Sequence, residues 1–140
     1  MIRVFIDEMK RSGLQGLEAY HRSRPPLTER LSMAEAVVLA DATRCPVNLL
    51  HLSSEEAVAS GARARREFPH LDIRLETTLH HLALTYATAG GIRGKVNPPI
   101  RTEADREALW QAVRDGRIDT VVSDLACCSE ADMEGDLWKA

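Results

Sequence analysis

The sequence lacks the features that mark membrane, secreted and nucleic-acid-binding proteins. No run of eighteen apolar residues occurs in the 140-residue chain, so no membrane span is expected. The net charge of −3 argues against a nucleic-acid partner, which requires a concentrated basic surface. Residues 1–10 include Asp7 and Glu8 and have no apolar signal core, which favours a cytoplasmic protein.

Cysteine is also scarce. The three cysteines are Cys45, Cys127 and Cys128, and an odd number without a secretory signal argues against a disulfide framework. Cys127 and Cys128 are adjacent, a spacing that suits no common zinc site, so reduced thiols are expected. Hydrophobic residues nevertheless make up 44% of the chain, which is enough for the core of one ordinary domain.

The first third of the sequence is predicted to be helical. Residues 1–26 form a lead-in with two short helices over 2–23, broken at residues 12–13 and followed by two prolines. Thr28 can cap the next helix, which is expected to reach about residue 43. Apolar residues at helical spacing predict the buried face of this helix, namely Leu27, Leu31, Ala34 and Val38.

Three apolar stretches, at 47–52, 71–76 and 118–123, are predicted to be strands. Ser53 and Glu56 are expected to form a capping box that starts a helix directly after the first strand. Strands that alternate with helices over 27–128 predict an α/β fold with a parallel sheet, either open or closed into a barrel. Three strands cannot close a barrel that needs eight. Residues 129–140 are predicted to be an irregular acidic tail.

Each predicted strand ends in ionisable residues. His51 ends the first strand, Glu76 with His80 and His81 ends the second, and Asp124 ends the third. A histidine here can be a metal ligand or a buried group bonded to a carbonyl, and the aspartate can bind a metal or cap a helix. Because the carboxyl ends of parallel strands share one edge, their convergence suggests a hydrolytic metal site there.

Four stretches resemble the cyclic amidohydrolases, the dihydroorotase, hydantoinase, allantoinase and dihydropyrimidinase family of the amidohydrolase superfamily. Leu-Leu-His-Leu-Ser-Ser at 49–54 resembles the sixth strand of their barrel, and Glu-Thr-Thr-Leu-His-His-Leu at 76–82 the seventh. Lys-Val-Asn-Pro-Pro-Ile-Arg at 95–101 resembles the loop over the substrate. Ile-Asp-Thr-Val-Val-Ser-Asp-Leu-Ala-Cys-Cys at 118–128 resembles the eighth strand. The resemblance implies a single domain over 1–140, a partial (β/α)8 TIM-type barrel with approximately strands six to eight and their helices.

The resemblance also implies roles for individual residues. His51 would bind one Zn²⁺ of a two-metal centre, while Asp124 would bind the other and act as general acid and base. Asn97 would lie near the ring of a small cyclic amide substrate. His80 and Glu76 would shape the pocket without binding metal. The implied reaction is metal-dependent hydrolysis of the C–N bond of a cyclic amide or imide.

Two departures from the family bear on activity. Its His-x-His pair, its carboxylated lysine and its fifth-strand histidine are absent here and would precede Met1 in the family's order. Its Asp-His-Ala motif reads Asp124-Leu125-Ala126. We therefore expect an incomplete or split enzyme, associating with itself or with a second chain that supplies the missing strands. The alternatives are a non-catalytic amidohydrolase-like scaffold with a degenerate metal site and an unrelated small α/β binding module.

One prediction concerns the sheet itself. The three strands should be parallel neighbours, because right-handed crossovers between them place His51, Glu76 and Asp124 on the same rim. A structure with these residues at opposite ends of the sheet would contradict it.

Overall fold

The computed structural model describes residues 1–126 and 137–138. The predictions for Cys127, Cys128 and most of the acidic tail lie outside the described residues. None of the helices in the described part is long and apolar enough to cross a membrane. The elements are α1 (Ile2–Ser12), α2 (Gly16–Ser23), α3 (Pro26–Thr43), β1 (Val47–Leu49), α4 (Glu55–Glu67), β2 (Ile73–Thr78), α5 (Leu79–Ala83), a short 3-10 helix (Gly91–Gly94), α6 (Glu103–Arg114) and β3 (Thr120–Val122).

The lead-in has the predicted form. Helices α1 and α2 are separated at Gly13, whose φ of 74° is a left-handed conformation that glycine adopts without strain. Helix α3 then begins at Pro26, where the missing N–H of proline removes no intrahelical hydrogen bond. The predicted cap at Thr28 is wrong, because that hydroxyl lies inside the first turn and donates to the carbonyl oxygen of Pro25 at 2.9 Å.

The buried face of α3 also differs from the prediction. Leu31 and Val38 are 46% and 61% exposed, whereas Met33, Val37 and Ala40 are buried. Apolar residues occur around most of this helix, so helical spacing alone could not select the face that meets β1. Packing in the folded chain made that selection.

The predicted parallel sheet is confirmed. The strand order is β1-β2-β3, and both pairings are parallel. Leu49 is paired with Leu75, and Glu76 with Thr120. Strand β2 lies two residues later than predicted, so Glu76 falls within the strand and not at its end.

The two faces of the sheet differ in chemistry. Leu49, Ile73 and Leu75 are buried in the core that the sheet shares with the helices. Gly61 of α4 lies so close to β2 that a Cβ atom would come within 2.5 Å of the Leu75 side chain. The opposite face is polar. There the Glu76 carboxylate accepts hydrogen bonds from Asn48 Nδ2 at 3.1 Å and Thr120 Oγ1 at 3.5 Å.

Serine 54, and not Ser53, caps α4. The Ser54 hydroxyl oxygen accepts a hydrogen bond from Ala57 N at 3.1 Å, so the predicted Ser53–Glu56 capping box is wrong. Glu56 instead forms an ion pair with Arg30 of α3 at 2.7 Å. Two adjacent serines before Glu55 left the sequence ambiguous, and the other contacts of Ser53 decided between them.

Arg65 and Asp119 join α4 to the starts of β2 and β3. The Arg65 guanidinium donates to Ile73 O and Arg117 O, both at 2.9 Å, and to the Asp119 carboxylate. Asp119 also accepts a hydrogen bond from Leu75 N at 2.7 Å. Burial alone would raise the pKa of Asp119, but the hydrogen bonds from Leu75 and Arg65 and the charges of Arg65 and Arg74 outweigh it. The pKa therefore lies below its usual value.

The first prediction concerns this contact. Asp119→Asn should lower the free energy of unfolding at pH 7 by about 1–2 kcal/mol, since it removes charge-assisted hydrogen bonds at a partly exposed site. Because the folded-state pKa is depressed, the difference from the wild type should shrink as pH falls below 3.8 through the folded pKa. Urea unfolding between pH 7 and 3 measures it. Asp72→Asn, at a more exposed ion pair, is the control, and equal losses in both variants would contradict the prediction.

The second prediction concerns assembly. Strands β1 and β3 are the edges of the sheet, and Val38, Leu39 and Leu50 are 61%, 61% and 52% exposed. Unpaired edges and exposed apolar side chains favour association, so we expect the chain to self-associate in dilute solution or to require a partner chain. Sedimentation at several concentrations tests this, and Val38→Glu should weaken association. A monodisperse monomer of 15.5 kDa with a sharp melt would contradict it.

Candidate active site

His51 and Asp124 follow the two outer strands of the sheet in strained backbone conformations. Their φ angles are +43° and +49°, and Arg44 is the third non-glycine residue with positive φ in the described chain. Left-handed conformations are uncommon outside glycine and concentrate at functional sites. His51 is half-buried, and its Nδ1 atom is buried without a hydrogen-bond partner in the described structure.

His51 and Asp124 both affect the pKa of His80. Burial has the largest effect on the pKa of His80 and lowers it. The Asp124 carboxylate raises this pKa, and His51 lowers it further. The pKa of His80 therefore lies below its usual value, and the ring is neutral at pH 7. Both neighbours are close enough to act on its charge. The structure thus brings His51, His80 and Asp124 to the carboxyl-terminal edge of the sheet. Glu76 departs from this group, because its side chain lies on the polar face before the end of β2.

The ring of His81 lies 4.4 Å from that of His80, but its two nitrogens are both used in structural hydrogen bonds. It is buried, and burial, with a smaller effect of His80, lowers its pKa to about 3. Its Nε2 lies 3.1 Å from Pro98 O, which can only accept, so Nε2 donates and Nδ1 accepts from Thr78 Oγ1 at 2.8 Å. His81 therefore anchors the loop before α6 to the end of β2.

That loop closes a pocket of about 320 Å³ over the end of β1. Asn48, Leu50 and His51 line it from the strand side, and Asn97 and Pro98 line it from the loop. The pocket brings together His51 and Asn97, two of the residues that the resemblance assigned to the site. His80, Glu76 and Asp124 are not among its lining residues.

A buried ion pair that lines the pocket was not predicted from the sequence. Arg101 Nη2 lies 3.3 Å from Glu29 Oε2, and their side chains are only 2% and 9% exposed. Ser53 donates to Glu29 from both its backbone N and its hydroxyl, each at 2.8 Å. Arg101 occurs in the Pro-Pro-Ile-Arg stretch that was singled out for its resemblance, but nothing in the sequence pointed to Glu29 as its partner.

The described residues could hold part of a metal site. An imidazole nitrogen and a carboxylate oxygen are both zinc ligands, and the unpartnered Nδ1 of His51 is a donor atom with no other role in the described structure. Within residues 1–126 and 137–138, however, no cluster of three or more His, Cys, Asp or Glu side chains could hold a metal ion.

The chain has relatives among known proteins. No protein-family model matches the chain. The dihydroorotase of Staphylococcus epidermidis is 36% identical over 118 residues, which cover 83% of this chain and 27% of that protein. The allantoinase of Salmonella gallinarum is 32% identical over 136 residues, which cover 96% of this chain and 30% of that protein.

A solved structure agrees with these sequence matches. The L-hydantoinase (dihydropyrimidinase) of Arthrobacter aurescens superimposes with a TM-score of 0.87 and 29% identity, covering 99% of this chain and 32% of that one. This chain thus spans less than a third of the length of the relatives it matches. In sequence and in fold it belongs with the cyclic amidohydrolases, the family of the dihydroorotases, allantoinases and hydantoinases.

Proposed function

We propose that this chain contributes one side of a metal-dependent site that hydrolyses the C–N bond of a cyclic amide or imide. The observation that carries the proposal is the pair of strained residues, His51 and Asp124, at the same edge of the sheet. A left-handed conformation costs free energy at each position, and both side chains are of a type that binds zinc. The relation to cyclic amidohydrolases supplies the reaction class.

The proposed roles follow from the chemistry of each side chain. When bound, Zn²⁺ would polarise the substrate carbonyl and lower the pKa of water to about 7. Asp124 lies outside the lining of the pocket but follows β3 at the same edge of the sheet, where it would take the proton of the attacking water and return it to the ring nitrogen as the C–N bond breaks. His51, which lines the pocket, would hold the metal ion through its imidazole. His80, neutral at pH 7, offers a hydrogen bond without adding charge.

The pocket suits a small ring with a polar edge. Asn97 and Asn48 present amide donors and acceptors, whereas Leu50 and Pro98 supply apolar contact. The amide of Asn97 would hydrogen-bond to the ring and orient it toward His51. We propose no role for Glu76 in contacting substrate beyond shaping the polar face, where it binds Asn48.

The remaining ligands would come from other polypeptide sequence. Tight zinc sites use three or four protein ligands, and the His-x-His pair and lysine that the family resemblance implies are absent from these 140 residues. We propose that β1, β2 and β3 correspond to strands six to eight of a (β/α)8 barrel, with the polar sheet face turned to its interior. A second chain that carries the earlier strands would then complete the barrel.

A non-catalytic scaffold is the second candidate function. Leu125, next to Asp124, is 86% exposed, and its side chain can neither donate nor accept a hydrogen bond, so that side chain offers no support to a metal-binding carboxylate. A chain that kept the fold for association, without a working metal site, would have no need of such support.

The third prediction concerns the isolated chain, for which both candidates give the same expectation. With added zinc it should show no turnover of dihydroorotate, hydantoin, dihydrouracil or allantoin, and zinc binding should be weak because His51 and Asp124 are too few ligands. Calorimetry and a ring-opening assay measure both properties. Turnover that disappears in His51→Ala would show that the chain is complete by itself.

The fourth prediction supplies the missing ligands. Residues 1–126 would replace the matching segment of the Arthrobacter aurescens L-hydantoinase, and the chimera should open a cyclic amide. Asp124→Asn should lower kcat by about 10²–10⁴-fold, the usual contribution of a general acid–base group. Leu125→His should raise activity, while Glu18→Gln, at an exposed ion pair, should leave it unchanged. A folded, zinc-loaded chimera without activity would favour the scaffold.

A further inference from the structure

The loop after β1 and the loop before α6 share one buried anchor. We propose that the Glu29–Arg101 ion pair is a positioning device, which fixes His51 and Asn97 relative to each other across the pocket. The inference rests on the proposed function only in treating these two residues as parts of one site. Glu29 and Arg101 both line the pocket, and their hydrogen bonds reach the two segments that carry His51 and Asn97.

On the strand side, Glu29 holds the backbone that follows His51. Its Oε1 accepts from Ser53 N at 2.8 Å, and its Oε2 accepts from Ser53 Oγ at 2.8 Å and Ser54 Oγ at 3.3 Å. Leu52, which lies between His51 and Ser53, donates a hydrogen bond from its backbone N to Glu76 O at 2.7 Å. The left-handed conformation of His51 is unfavourable alone, and these bonds on its carboxyl side hold it in place.

On the loop side, Arg101 holds the chain that follows Asn97. Its guanidinium donates to Ser53 Oγ at 2.9 Å, to Glu29 and to the carbonyl oxygen of Arg24. Asn97 lies four residues before Arg101 in this loop. Pro98, which follows Asn97, accepts a hydrogen bond at its carbonyl oxygen from His81 Nε2 at 3.1 Å. Asn97 therefore lies just before a short segment that is held at two points.

The two sides depend on the same carboxylate. Ser53 Oγ donates to Glu29 and accepts from Arg101, so the hydroxyl joins both partners of the ion pair. Because the pair is buried, removal of one member leaves the other charge without compensation. A change at Glu29 should therefore loosen the Asn97 loop, and a change at Arg101 should loosen the turn at His51. If the two loops were anchored independently, a substitution in one anchor would not loosen the other loop.

The experiment measures the chain without metal or substrate, so that its failure is distinguishable from failure of the proposed function. Hydrogen–deuterium exchange, followed by mass spectrometry, reports amides in 50–54 and 95–101 and the C2 hydrogen of the His51 ring. The variants are Glu29→Gln, Arg101→Met and the double substitution. Glu18→Gln, which breaks an exposed ion pair, is the matched control, and the exposed His70 ring is the internal control.

Each single variant should speed exchange about tenfold in both segments, the factor expected when a hydrogen bond to a charged group is lost. The C2 hydrogen of the His51 ring should exchange faster, and that of the His70 ring should exchange at an unchanged rate. The double variant should be no worse than either single variant, because it removes both charges together. Additive effects, or a loosening confined to the substituted residue's own segment, would overturn the proposal.

A general loss of structure is recognised from faster exchange in β2 (Ile73–Thr78). Ser53→Ala then decides, since it removes only the hydroxyl that joins the two partners. It should loosen 50–54 and 95–101 together while β2 keeps its protection. If it leaves either segment unchanged, the ion pair does not couple the two sides and the proposal is wrong.

Discussion

The buried contact between Glu29 and Arg101 is the constraint on which the pocket depends. It joins the first turn of α3, the turn after β1 and the loop before α6, three segments that are distant in sequence. Buried ion pairs contribute little net stability, because desolvation offsets their attraction. Their value here is geometric. The Glu29 carboxylate is buried away from water, so its hydrogen bonds come from Ser53 and Arg101. Those bonds hold the turn after β1 and the loop before α6 close to α3.

The proposed function places further polypeptide over one face of the sheet, and the different chemistry of the two faces supports that proposal. Leu49, Ile73 and Leu75 are buried in the core on one face, which accounts for a folded unit of this size. The other face carries Asn48, Glu76 and Thr120, joined by hydrogen bonds but left uncovered. Apolar cover would leave these groups unsatisfied, so a polar interior suits them better.

The candidate site combines rigid and strained parts. His81, neutral and buried, anchors the loop, whereas His51 and Asp124 hold conformations that the backbone does not favour alone. Strain of this kind persists only where neighbouring contacts over-determine it. For His51 those contacts are known, since Leu52 and Ser53 are both fixed. One neighbour of Asp124 is His80, whose pKa the Asp124 carboxylate raises.

The sequence by itself determined the parallel sheet, the three strands in order, and the edge at which His51, His80 and Asp124 meet, because strand and helix periodicity are local properties. It also carried enough of the family's motifs to indicate the cyclic amidohydrolases. It misplaced the buried face of α3, the cap of α4 and the position of Glu76, since each depends on which neighbour a residue meets. The Glu29–Arg101 pair was beyond its reach for the same reason. The two residues are 72 positions apart, and only the tertiary structure brings their charges together.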